Sequence, residues 1–365
     1  MSRPVIHVDT AATWRGGQNQ VLLTALGMAR HGRATAVACR RGSPLAERAA
    51  AAGMTVSGLP FRGDLWPPGI LALARLLRRQ RPPTLLLHDP HAVTAGLLAS
   101  RLAGRQPLVA VRRVDFPLRS PFSRRKYAAC QRVIVVSRAI GAVVQRGGVA
   151  ASRLRLVYEG VPDRQPQPGG RERLAELGVP DGVPVIGNVA ALTGHKDHAT
   201  LISAMALLRP RLPEARLVVC GDGELRGALE AQVAALGLRD RVVLAGFRRD
   251  LDQLLPAFSV FCLSSRLEGL GTSLLDAMAF GVPVVATAAG GIPEAVEDGV
   301  TGRVVPIREP AALAEALVAV LADDQHRLAL GAAGRRRFLE RFTAERMVEA
   351  TLAVVEELAC RGEKR

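Results

Sequence analysis

The sequence predicts an α/β protein of two domains, each built on a parallel sheet. Short aliphatic runs alternate with amphipathic segments from one end of the 365-residue chain to the other, the pattern of repeated strand–helix–strand units. Near the middle, Gly160-Val161-Pro162-Asp163-Arg164-Gln165-Pro166-Gln167-Pro168-Gly169-Gly170 is too rich in proline and glycine for either element, and the alternation restarts after it. The length suits two domains, each able to bury its own core.

In the first half, strands are expected at 4–9, 34–39, 54–59, 84–88, 107–111, 132–136 and 154–158. Helical spacing falls between them, clearest at Val21–Arg30, Ile70–Arg79 and Ala92–Ala103. Beyond the break, strands are expected near 183–189, 215–221, 241–245, 258–263, 283–287 and 303–305, then helices near 310–322 and 325–341. A last helix, at about 343–359, puts Met347, Ala350, Thr351, Val354 and Leu358 on one stripe. The expected limits are therefore 1–164 and 165–342, with 343–365 as a C-terminal helix.

Composition narrows the function classes. Hydrophobic residues make up 48% of the chain without low-complexity tracts, which indicates a globular protein. No apolar run reaches spanning length, and Met1 to Asp9 reads as a strand instead of a signal peptide. Cysteines 39, 130, 220, 262 and 360 lack metal or disulfide spacing, so reduced thiols and a cytoplasmic location are expected. The net charge of +16 is uneven: residues 1–165 hold 26 Lys and Arg against 7 Asp and Glu, and the remainder 23 against 26. An Ala- and Arg-rich composition accounts for much arginine but not for acids being scarce in one half only. An anionic partner of the first half is expected.

The richest segment for chemistry is Ser264-Ser265-Arg266-Leu267-Glu268-Gly269-Leu270-Gly271-Thr272-Ser273-Leu274-Leu275-Asp276-Ala277-Met278-Ala279. It follows a buried-strand pattern and opens a helix expected to carry Asp276 about two turns in, at the same end as Glu268. Glycines admit close backbone approach, and a helix N-terminus favours anions. Carboxylates accept hydrogen bonds from sugar hydroxyls. A nucleotide sugar combines both features. Phe280-Gly281-Val282-Pro283-Val284-Val285 and Gly290-Gly291-Ile292-Pro293-Glu294 follow.

This run resembles the donor-binding core of the family-4 glycosyltransferases, retaining enzymes of the GT-B type. Their signature is a glutamate, seven residues, a second glutamate, a Gly-Val-Pro strand and a Gly-Gly-x-x-Glu turn. Asp276 stands one methylene short of the second glutamate. The resemblance covers most of the chain, strongest over about 183–305. It implies two Rossmann-like domains facing across a cleft, a C-terminal helix that crosses back to the first, and sugar transfer from a nucleotide diphosphate with retained configuration. In this resemblance Glu268 holds donor-sugar hydroxyls and Asp276 the ribose. The backbone at Gly269, Leu270, Gly271 and Thr272 approaches the diphosphate.

Lys196, after strand 183–189, lies where the family places a lysine that neutralises the leaving diphosphate; with Glu268 it is the expected catalytic pair. The family arginine that follows the strand glycine is replaced by Asn188. Gly221-Asp222-Gly223-Glu224 lacks the spacing of a dinucleotide fingerprint, so Gly223 is read as a tight turn near the nucleotide. The loop at Ala245-Gly246-Phe247 lies beside the nucleobase in the family, and Gly16-Gly17 would bring N–H groups to the donor phosphate.

On the acceptor side, His88-Asp89-Pro90-His91 is insufficient for a zinc site, and the resemblance implies neither a protein-bound metal nor another cofactor. His88 is an acceptor candidate, as are Arg112, Arg113 and Asp115, where many members carry a histidine; a solvated basic loop fits them as well. Arg119 to Tyr127 interleaves cations with aromatics, which suits an anionic glycolipid or oligosaccharide acceptor and peripheral contact with the inner membrane, and equally an ordinary basic helix. No RNA-binding motif accompanies it, so nucleic acid is not expected. A lipopolysaccharide-core or other envelope acceptor is the expectation. The rivals are a GT-B nucleotide-sugar epimerase, whose set of acids and histidine is not found, and a non-catalytic basic binding protein for lipid or nucleic acid.

Overall fold

The computed structural model describes residues 3–63, 65–79 and 83–362, with side chains through Leu358. Met1 and Ser2 and the Cys360 thiol lie outside the described residues. Cys39, Cys130, Cys220 and Cys262 are buried free thiols. The chain forms two compact units, Met1–Gly160 with Ala344–Arg365, and Val161–Thr343.

The first unit comprises β1 Val5–Asp9, α1 Gly16–Arg30, β2 Thr35–Arg40, α2 Pro44–Ala51, β3 Thr55–Leu59, α3 Pro67–Arg79, β4 Thr84–Leu87, α4 Pro90–Leu102, β5 Leu108–Arg112, α5 Pro121–Ala128, β6 Arg132–Val135, α6 Arg138–Arg146 and β7 Leu154–Leu156. The sheet runs β3-β2-β1-β4-β5-β6-β7, and every pairing is parallel. Strand alternation sends Ile6 and Val8 into one core with Leu73, Val93 and Ile140, and Val5 into another. That second core is closed by the C-terminal helix, whose Met347, Val348, Val354, Val355 and Leu358 pack on Leu86, Val109 and Ile134.

Helices α1, α3 and α4 begin two to five residues before their apolar spacing does. Their first turns hold glycine or proline, which carry no apolar signal. Pro67 and Pro90 lose nothing at a position where the N–H has no intrahelical partner. Asp89 caps α4 by accepting from the His91 and Ala92 amides at 2.8 and 2.9 Å.

The second unit comprises α7 Gly170–Glu176, β8 Val185–Val189, α8 His198–Leu208, β9 Arg216–Cys220, α9 Arg226–Ala235, β10 Val242–Gly246, α10 Leu251–Ala257, β11 Val260–Leu263, α11 Thr272–Ala279, β12 Val284–Thr287, α12 Ile292–Ala295, β13 Arg303–Val305, α13 Pro310–Leu321 and α14 Asp324–Arg341; α15, Ala344–Gly362, then belongs to the first unit. Its parallel sheet runs β10-β9-β8-β11-β12-β13. In both sheets the chain first winds one way and then jumps back over its starting strand. The reversal lies between β1 and β4 in the first sheet and between β8 and β11 in the second. Ligands of such sheets bind outside the carboxyl ends of the strands at the reversal.

The boundary falls earlier than the Pro/Gly stretch predicts. Residues 161–170 lie on the second unit: Val161 N–H donates to the Phe342 carbonyl at 3.0 Å, and Gln167 N–H to that of Asp252 at 3.0 Å. Among the described residues no helix is long and apolar enough to cross a membrane.

Candidate active site

Lys196 and Glu268 come together at the reversal of the second sheet. β8 and β11 pair only at Val260↔Ile186 and Phe261↔Gly187, and the ladder stops there. Lys196 ends a short turn after β8, Glu268 sits on the loop after β11, and their side chains form an ion pair. Both are largely but not fully buried, so the attraction is less screened than at the surface while the pair stays reachable. Ser265 Oγ donates to Glu268 Oε2 at 3.2 Å, and the Gly269 N–H donates to Oε1 at 3.3 Å.

The two loops are stitched to each other. Ser264 Oγ donates to the Lys196 and Asp197 carbonyls, Arg266 N–H to the His195 carbonyl at 2.8 Å, and the Arg266 guanidinium to that of Gly194. Thr287 Oγ1 donates to the Ser265 carbonyl at 2.5 Å. Beneath them, where the ladder stops, Asn188 Nδ2 donates to the Cys262 carbonyl at 2.8 Å and Oδ1 meets His198 Nε2 at 3.1 Å. Burial holds His198 down at about 4, so the ring is neutral and Nε2–H is the donor to Asn188. Asn188 thus fills the family arginine's position with a brace between the two strands. Asn188→Leu, which leaves the Cys262 carbonyl and the His198 N–H unpaired in the interior, is expected to cost about 2–4 kcal/mol. Urea denaturation of both proteins checks this; equal midpoints would contradict it.

Helix α11 starts later than the sequence suggests. Gly271, at φ +91°, turns the chain, Thr272 is the first helical residue, and Asp276 lies early in the second turn. No side chain caps this N-terminus and no acid lies in its first turn, as is also true of α8 and α9. An uncapped helix start favours an anion such as phosphate. Leu270, expected to approach the diphosphate, is fully buried, backbone included, and offers no surface to a ligand in this structure. Asp276 does not share partners with Glu268; it pairs with Arg164, which also holds Asp252 at 2.5 Å. Gly290 explains the Gly-Gly turn: its would-be Cβ would lie 1.8 Å from the Glu268 carbonyl oxygen. A Cβ at Gly223 would likewise meet backbone, 2.6 Å from the Leu192 carbonyl oxygen, and Phe247 is 66% exposed.

In the first unit, Gly16 and Gly17 open α1, and a Cβ at Gly17 would meet nothing within 4 Å. The acceptor candidates turn inward. Arg112 is buried, donating to Tyr127 Oη at 3.2 Å and the Phe116 carbonyl at 2.5 Å. Arg113 pairs with Glu159 at 3.2 Å and meets His88 Nδ1 at 3.1 Å; His88 Nε2 in turn meets His7 Nδ1 at 3.0 Å. The arginine fixes the tautomers: His88 accepts at Nδ1 and donates from Nε2, and burial beside Arg113 keeps both rings neutral. The expectation that Arg112 meets an acceptor is corrected, because its guanidinium is occupied inside the protein; Asp115 stays partly exposed. Motif reading gave Asp9 no role and weighed Asp89 only as a metal ligand. Asp9 accepts from Gln18 at 3.1 Å, and burial followed by the nearby Asp89 charge pushes its carboxyl up to about 6. In the basic segment, Lys126 is buried on the Pro90 carbonyl and Thr94, and Tyr127 is buried too, while Phe116 and Phe122 are each half exposed.

Within the described residues, the one cluster of three metal-type side chains is His31, Glu345 and Glu349, which are exposed on α1 and α15. His88 and Asp89 have the internal partners given above.

Sequence comparison agrees with this arrangement. Residues 14–165 match the family described as Glycosyltransferase Family 4, and residues 171–337 that described as Glycosyl transferases group 1. The lipopolysaccharide core biosynthesis glycosyltransferase LpsE of Rhizobium meliloti is 34% identical over 181 residues, 50% of this chain and 52% of that protein, so the match spans about half its length. The 2-deoxystreptamine glucosyltransferase of Streptomyces kanamyceticus is 31% identical over 323 residues, 82% of this chain and 84% of that one. Among solved structures, Anabaena HepE in complex with UDP and glucose superposes with a TM-score of 0.87 at 22% identity, covering 97% of this chain and all of that one. Sucrose-phosphate synthase from Thermosynechococcus elongatus gives 0.82 at 21%, covering 98% and 100%. Two Rossmann-like units of GT-B type, and matched family regions filling both, establish that the chain belongs to the family-4 glycosyltransferases.

Proposed function

We propose that the protein transfers a sugar from a nucleoside diphosphate to an acceptor hydroxyl with retention of anomeric configuration. The observation that carries this reading is the Lys196–Glu268 pair at the sheet reversal, beside the uncapped start of α11. The α11 amides and Lys196 would take the diphosphate. Glu268, released from the lysine by the incoming phosphate, would accept hydrogen bonds from the sugar hydroxyls. The bond from the anomeric carbon to the diphosphate oxygen breaks, the bond to the acceptor oxygen forms, and the leaving phosphate takes the acceptor proton on the same face. Negative charge grows on the diphosphate, where a fixed cation and oriented N–H groups are worth most.

The test is nucleotide release from UDP-, GDP- and ADP-sugars. One donor should be hydrolysed slowly, its sugar appearing first in the donor's own configuration by proton NMR, and Glu268→Ala should lose this activity. Release of the inverted sugar would sink the retaining mechanism, and no release with any donor would favour a binding protein. We infer that no bound metal is needed, since Lys196 and α11 counter the charge; activity should survive EDTA dialysis unchanged, and loss restored by Mg²⁺ would refute this.

For the acceptor we infer an anionic envelope glycolipid reached at the membrane surface. The charge excess of residues 1–165 supports it, together with exposed Phe116 and Phe122 near Arg119, Arg124 and Arg125. The name of the Rhizobium relative points the same way. Flotation with phosphatidylglycerol vesicles should fall with salt and with Phe116→Ser/Phe122→Ser. Salt-independent flotation, or none, would remove the support.

A further inference from the structure

Arg164 lies in the Pro/Gly segment that composition marks as a linker, yet its side chain is fixed on three sides in the second unit. One guanidinium nitrogen pairs with Asp252 of α10, another with Asp276 of α11, and the planar group lies 5.6 Å from the Phe280 ring centroid. Two carboxylates and a ring leave it little freedom to turn. It meets Asp276 through Oδ1, which leaves Oδ2 outside the ion pair. Asp276 is the shortened counterpart of the family's ribose-binding glutamate, so its carboxylate has less reach and depends more on being aimed.

We propose that Arg164 is the positioning residue of the donor site, holding the Asp276 carboxylate charged and oriented so that its free oxygen accepts a hydrogen bond from the donor ribose. This rests on the nucleotide-sugar reading above. Charge balance supports it. Burial pushes the Asp276 carboxyl up to about 6, Asp252 pushes the same way, and Arg164 is the cation that opposes both. Helix α14, also packed against α11, contributes Arg335, which is paired with Asp163. Strands β11 and β12 contribute apolar residues, Thr287 and the Cys262 thiol. Only the charged carboxylate is a pure acceptor, so ribose recognition holds above about pH 6 and is lost as pH falls through it. Without Arg164 the same loss moves to higher pH.

The test is calorimetric binding of UDP, GDP and ADP, each beside its 2′-deoxy counterpart, from pH 4.5 to 9. For the nucleotide that binds, wild type should prefer the ribo form by about tenfold at pH 8, the worth of one hydrogen bond to a charged group. Arg164→Gln should show no preference near pH 6.5 and regain it as pH rises. Arg164→Lys should keep it, and Asp276→Asn should lose it at every pH. A merely structural arginine would weaken ribo and deoxy forms alike. Should Arg164→Gln fail to fold, Asp252→Asn serves instead, and should carry the preference to lower pH. An unchanged preference in Arg164→Gln at every pH, or tighter binding by it, overturns the assignment. So does a wild type that binds nucleotide with no ribose preference, whereas a wild type that binds none of the six overturns the nucleotide-sugar reading itself.

Discussion

Lys196→Ala is expected to slow nucleotide release by about 10²–10³-fold, the loss typical of removing one preorganised charge-stabilising group. Loss on that scale requires the lysine to act where charge develops. Its position supports that role: Nζ lies on the Glu268 carboxylate at the sheet reversal, on loops stitched through Ser264 and Arg266. Some stability should be lost as well, since the variant leaves the largely buried Glu268 carboxylate with only Ser265 and the Gly269 N–H as partners. A release assay and a thermal melt on the same preparation separate the two effects. A variant that melts early and keeps its specific rate would assign Lys196 a structural role only.

The second large effect is expected at Gly290→Ala. The new methyl would sit 1.8 Å from the Glu268 carbonyl oxygen and 2.9 Å from its carbon, with φ +52° at position 290 adding strain. Backbone cannot swing aside as a flexible side chain can, so the Glu268 loop must move. The expected cost is about 3 kcal/mol in stability, with a loss of turnover similar to that of Glu268→Ala. Gly281→Ala is the control: φ is +71°, but the nearest atoms lie 4.0 Å away, so about 1 kcal/mol of conformational strain is expected and turnover should survive. Equal effects at the two glycines would show that left-handed strain, and not the approach to Glu268, is what matters at Gly290.

The strands were legible because parallel strands buried on both faces read as continuous aliphatic runs, as in Val260-Phe261-Cys262-Leu263. Helix starts were less so, since Gly16-Gly17, Pro67 and Pro90 carry no periodic signal. The glycine-rich loop pattern brought out Glu268 and the family resemblance Lys196, but neither showed that the two, 72 residues apart, meet across the sheet reversal. Side-chain direction was the least legible. Lys126 and Tyr127 belong to a basic, aromatic run, yet both point inward, because a short helix must bury one face whatever its composition. Arg112 ends a buried strand and Arg113 follows it, and both side chains turn inward to Tyr127, Glu159 and His88. Arg164 looked like linker because the two acids that fix it come from helices far along the chain.

The most direct test of the donor site is calorimetric titration of UDP, GDP and ADP, and of the matching nucleotide sugars, into wild type, Lys196→Ala and Glu268→Ala. The site described here predicts that one nucleoside diphosphate binds wild type and binds Lys196→Ala at least tenfold more weakly. Glu268→Ala should bind it normally but lose the added affinity for the nucleotide sugar. Undiminished diphosphate binding by Lys196→Ala would contradict the placement of the leaving group at the reversal between β8 and β11.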